Sequence, residues 1–246
     1  MVFSNVRFLE KQVFTFSLLI FIFNKKFCMK NTTPFIILFF CITTLFATEK
    51  TIKPTEYIKA GTELHYMVNN GGNSYPFIVK IVSLDMGKGI IFDYDLRNSA
   101  PIKARVEMLP QALNTAQTMY NYFSGKDVVL NDRVSVFVSG YIYYAINKTV
   151  LSGIEAIAAN NGAAIKPKTA WIQLDANDEY TIPFSDTDNK PTYKTDSGDI
   201  ELKEIKGKDT NKSAEYTIRY INDAACPLIT YMNLGWTVEL TKIVNH

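Results

Sequence analysis

Residue types that do catalytic chemistry are scarce in this 246-residue chain. Histidine occurs only as His65 and His246, and cysteine only as Cys28, Cys41 and Cys226. A Ser-His-Asp hydrolase needs a histidine held between an acid and a nucleophile. Only His65 could serve, and it sits between Leu64 and Tyr66 where strand alternation turns it to solvent. No nucleophile-elbow pattern accompanies it. Beyond residue 47, two histidines and one cysteine are too few for a histidine- or thiolate-rich metal centre. The acidic runs Asp186-Thr187-Asp188 and Asp175–Glu179 lack the spacing and closing glutamate of an EF-hand, so they read as solvated loops. No phosphate-cradling glycine loop occurs. Cys226, before Pro227 in an apolar stretch, reads as a small buried hydrophobe. No catalytic residue, metal ligand or cofactor is therefore assigned.

Two chemistries stay open. Glu63, Asp93, Asp95 and Glu107 could supply the paired carboxylates of a hydrolase acting on a glycan or envelope polymer, since such pairs come from separate strands. The other is apolar binding. Aromatic residues cluster in the middle of the chain, and Tyr120, Phe123, Phe137, Tyr141 and Tyr144 are the candidate lining of a groove for a lipid, glycan or peptide. Core packing is the competing role for the same rings.

The elements that would position these residues are mostly strands. Leu64–Val68 and Phe77–Val82 flank the cluster Asn69–Asn73, whose Asn and Gly residues tolerate the positive φ of a hairpin turn. After the turn Met86–Gly89, Phe92, Tyr94 and Leu96 alternate with Asp93 and Asp95, which gives a third antiparallel strand. The period then changes. Leu109, Ala112, Leu113, Ala116, Met119, Tyr120 and Phe123 recur at three- and four-residue intervals, which predicts an amphipathic helix ending near Gly125. A second helix is expected from Asn131 or Asp132 through Phe137, Tyr141, Tyr144 and Ala145, although Val134, Val136 and Val138 also suit a strand. Gly153–Pro167 reads as a loop. Strands return at 170–175, 180–184, 200–205, 216–221, 228–232 and 236–243, with a polar surface loop at 186–196.

The first 47 residues read as a separate matter. Met29-Lys30 followed by the apolar run Pro34–Phe46 and Ala47 has the order of a secretory signal peptide, so 29–47 is expected to be a leader and 1–28 an extension from an early start codon. Phe39 and Phe40 before Cys41 do not suit lipoprotein cleavage. The eleven-residue run Val13–Phe23 is short of the about 20 residues that span a bilayer. Residues 1–47 carry five basic and one acidic residue, so residues 48–246 keep 21 basic and 23 acidic ones. The slight basicity therefore comes from residues 1–47, and nucleic acid is not an expected partner. The 199 residues that remain are enough for one domain with its own core, and no stable transmembrane span is expected in them.

The run Tyr57–Tyr66 resembles the aromatic-x-x-Gly-Glu-x-Leu-x-Tyr opening of a bacterial envelope family, domain of unknown function 3108, with Thr62 standing between the Gly and the Glu. Asp132-Arg133-Val134-Ser135 is similar to an Asp-x-x-Ser step of that family, and Asn222–Ile229 with Gly235 and Glu239-Leu240 resembles its closing strands. The resemblance spans Tyr57 to Ile243. It implies a half-open β-barrel in the cell envelope, similar in outline to periplasmic lipoprotein carriers, and brings no catalytic residues. The expectation is an α+β domain, mostly antiparallel β, with a curved sheet or half-open barrel and two packed helices. Its expected function is non-catalytic: an exported protein, periplasmic or associated with the outer envelope, binding an apolar small molecule or an envelope protein.

Overall fold

A computed structural model describes residues 52–121, 123–147, 169–174, 181–209 and 214–246. The expected extension 1–28, the leader 29–47, the loop 153–167 and the acidic run 175–179 lie outside these residues. A single helical turn, α1 (Pro54–Tyr57), leads into four strands: β1 (Glu63–Asn70), β2 (Asn73–Asp85), β3 (Gly89–Leu96) and β4 (Ile102–Met108). The middle holds α2 (Pro110–Thr115), β5 (Thr118–Met119), β6 (Val128–Leu130), β7 (Arg133–Val134) and α3 (Gly140–Asn147). Seven strands follow: β8 (Thr169–Ile172), β9 (Ile182–Asp186), β10 (Thr192–Thr195), β11 (Gly198–Asp209), β12 (Ala214–Ile221), β13 (Ile229–Asn233) and β14 (Thr237–Val244).

Twelve of the strands form one large sheet in the order β6-β4-β3-β2-β1-β14-β13-β12-β11-β9-β8, with β10 added on β11. All pairings in it are antiparallel except β4 with β6. The β1–β14 ladder joins the early meander to the late one. The outer strands β6 and β8 do not pair with each other. The β5–β7 pair forms a separate small sheet, and Thr118 of β5 bridges Gln173 just beyond β8. The expected mostly antiparallel, curved and open sheet is what the chain forms.

Alternation explains the core. Leu64, Tyr66 and Val68 of β1, Phe77, Val79 and Ile81 of β2, and Ile90, Phe92 and Tyr94 of β3 are buried on one face. The β1–β2 turn is Gly71-Gly72, with φ of 57° and 85°. A two-residue hairpin loop with positive φ at both positions needs residues without a Cβ penalty. Gly207 answers a different need: it stands opposite Phe184, and a Cβ there would meet the ring at 2.8 Å.

The helical expectations require correction. The helix expected over 109–123 stops at Thr115, and the chain is extended from Ala116. There the Met119 N–H donates to the Gln173 carbonyl at 2.8 Å, and the Gln173 N–H to the Gln117 carbonyl at 2.8 Å. Those bonds to a distant strand end outweigh a local helical preference worth only tenths of a kcal/mol per residue. The second helix begins at Gly140 rather than near Asp132, where its Ser139 Oγ accepts the Ile142 N–H at 3.3 Å. Of the Val-rich stretch before it, only Arg133–Val134 is a strand and Phe137 a single bridge to Leu228, while Val136 between them turns with a positive φ. The loop expected at 186–196 contains β10, and Ile102–Met108 adds a fourth strand to the early meander.

Candidate functional site

A cavity of about 770 Å³ opens at the hairpin end of the buried sheet face. The early strands give it Tyr66, Val68, Tyr75 and Phe77, and the late ones Ile229, Met232 and Val238. The turn before β14 adds Leu234 and Trp236. Its remaining wall is the middle segment, with Met119, Tyr120, Asn121 and Phe123 on one arm and Arg133, Ser135 and Val136 on the other. Most of this lining is apolar or aromatic. Its polar members are asparagines, Ser135 and Arg133, and no carboxylate lines it.

The wall is held by specific contacts. Phe123 packs on Phe77 (ring centroids 4.7 Å apart) and edge-on against Tyr94 (4.8 Å). Tyr120 meets the same ring edge-on at 5.7 Å. The Gly125 N–H donates to the Tyr94 hydroxyl at 3.0 Å, and Asn121 Nδ2 donates to the Leu174 carbonyl at 2.8 Å. On the other arm Val136 has φ of 64°, a conformation β-branched residues rarely adopt. Its carbonyl accepts the Ile229 N–H at 2.8 Å, so β13 holds the strained residue in place at the cavity wall. Deeper in, the Tyr66 hydroxyl donates to the Ile229 carbonyl at 2.8 Å. Burial pushes its pKa well above the ordinary phenol value, so it stays a neutral donor.

Of the five aromatic candidates, Tyr120 and Phe123 come together in this wall. Phe137 and Tyr141 are fully buried in the core and line no part of the cavity. Tyr144 is half-buried on α3 and meets the Tyr143 ring edge-on at 5.4 Å, away from the cavity. Its lining residues Tyr66, Phe77, Met232 and Trp236 were readable only as core positions of strands. Their shared end of the sheet emerges from the β1–β14 pairing, which joins residues about 170 positions apart and leaves no local signal.

The four candidate acids face elsewhere. Arg105 Nε and Nη2 donate to Asp93 at 2.7 and 3.0 Å. That pair holds the Asp93 carboxyl below the usual range. Asp95 is contacted by Arg97 at 3.0 Å and Lys103 at 3.4 Å. Burial pushes its carboxyl up, but those two cations outweigh it and the net shift is downward. Glu63 lies 3.4 Å from His65 and 3.9 Å from Lys80, and Glu107 is half-buried at the Ile91 register position. None of the four lines the cavity. Cys226 is buried, and desolvation pushes its thiol up to about 12. Among the described residues there is no cluster of three metal-ligating side chains. No described helix is long and apolar enough to cross a membrane.

Comparison with family models, curated proteins and solved structures gives no match to this chain.

Proposed function

We propose that this chain is an exported envelope protein that binds a lipid-like molecule in the cavity at the hairpin end of its sheet, without transforming it. The cavity carries the reading. Its volume falls within the about 300–1,000 Å³ typical of small-molecule sites, and its lining is apolar with a few polar groups. The ion-paired acids give a carboxylate hydrolase no converging pair there. Export rests on the order of residues in 29–47.

The test is binding of a dansyl-labelled fatty acid to the protein and to Val238→Trp. Val238 lines the cavity, so an indole there fills space a ligand would use. The reading expects saturable binding by the parent and its loss in a variant that keeps its cooperative melt. Met232→Phe serves as a second filling variant. Absence of binding by the parent, or unchanged binding by both folded variants, overturns it.

A further inference from the structure

We infer that the ligand is an anionic amphiphile, an acyl chain whose carboxylate or phosphate head is received by Arg133. This rests on the cavity being a ligand site and adds the charge of what fills it. Arg133 is the one charged residue among those lining the cavity. It sits on β7, in the wall opposite the sheet, with its side chain about a third exposed at 30%. The rest of the lining offers an acyl chain only apolar surface and neutral polar groups, so a charged head has one place to go.

The guanidinium is only partly committed. It has five N–H donors. Nε donates to Asp132 Oδ1 at 3.0 Å and Nη2 to Asp132 Oδ2 at 3.3 Å. Asp132 itself is 64% exposed, so this pair is well solvated and weak. A carboxylate or phosphate can take the remaining donors in the two-pronged geometry that guanidinium favours. Met119, Tyr120 and Val136 line the same cavity, so the surroundings Arg133 meets there are largely apolar. A charge-assisted hydrogen bond strengthens in such surroundings. The Tyr120 N–H donates to the Val134 carbonyl at 2.7 Å, which ties β7 to the other arm of the wall.

The experiment displaces the dansyl-labelled fatty acid with four competitors of equal chain length: hexadecanoate, hexadecyl phosphate, hexadecanol and methyl hexadecanoate. Either anion should compete at least about tenfold better than the alcohol and the ester, the size of one charge-assisted hydrogen bond. The stronger of the two anions identifies the head. Arg133→Gln should remove that preference while leaving the alcohol unchanged, and Asp132→Asn should strengthen anion binding by freeing donors. Equal competition by acid, alcohol and ester overturns the inference, as does an anion preference that survives Arg133→Gln. Neither result touches the cavity reading, which fails separately if the labelled probe does not bind or if the filling variants bind it unchanged.

Discussion

Truncating Phe137 and truncating Tyr120 should have opposite signatures. Phe137 is 0% exposed, and Leu228 bridges its backbone, so alanine leaves the bridge but empties a ring's volume inside the core. Buried aromatic truncations cost about 3–5 kcal/mol. For a domain of this size each kcal/mol lowers the melting temperature by about 2–4 °C, so Phe137→Ala should melt roughly 6–20 °C below the parent. Tyr120 is half-buried in the cavity wall, and its ring meets Phe123 at 5.7 Å. Losing that edge contact and part of its burial should cost about 1 kcal/mol, or some 2–4 °C. The assays are thermal unfolding by circular dichroism and binding of the dansyl-labelled fatty acid. Phe137→Ala should bind normally below its melt, whereas Tyr120→Ala should bind several-fold more weakly. Equal loss of stability in the two variants, with Tyr120→Ala binding as the parent does, would refute the division of these rings into core and wall.

Three further outcomes are expected. Gly207→Ala should cost about 1–3 kcal/mol by urea unfolding, because its Cβ would meet the buried Phe184 ring at 2.8 Å, and Phe184→Leu should recover part of that loss. Glu204 is buried; burial pushes its carboxyl up, but Arg219 Nε at 2.6 Å and Asn189 Nδ2 at 2.8 Å outweigh that and hold it below the usual range. A depressed folded value gives stability that is present above the ordinary glutamate range and lost as pH falls through the folded one, so Glu204→Gln should flatten the acid limb of a stability-against-pH curve. Cys226 should not react with a thiol reagent at neutral pH in the folded protein and should react fully in urea, and Cys226→Ser should still fold.

The strands were legible and the middle of the chain was not, for a physical reason. Leu64–Val68, Phe77–Val82 and Phe92–Tyr94 carry their burial in alternation, and Gly71-Gly72 marks its own turn, so those elements are written locally. Residues 116–123 have helical spacing, yet Gln173 just beyond β8 is a backbone partner for Gln117 and Met119, and the segment pairs with it. That competition is decided by a strand more than fifty positions away. The five aromatic candidates divide for the same reason. Phe137, bridged to Leu228, and Tyr141 on α3 are buried in the core, whereas Tyr120 and Phe123 lie beyond the end of α2, where the chain lines the cavity. In the sequence Asp132 reads as a helix start and Arg133 only as a member of the Asp132–Ser135 step, with no sign of a cavity. Its place in a cavity wall depends on β5 and β7 lying side by side, which only the fold supplies.

The two tryptophans permit the most direct test of ligand occupancy. Trp236 lines the cavity, and Trp171 on β8 does not. In Trp171→Phe, a fatty acid brominated near its chain end should quench Trp236 fluorescence saturably at one molecule per chain, because bromine quenches only at close contact. In Trp236→Phe the same titration should leave Trp171 emission unchanged. No quenching of Trp236, or equal quenching of both tryptophans, would contradict a lipid-binding cavity at this end of the sheet.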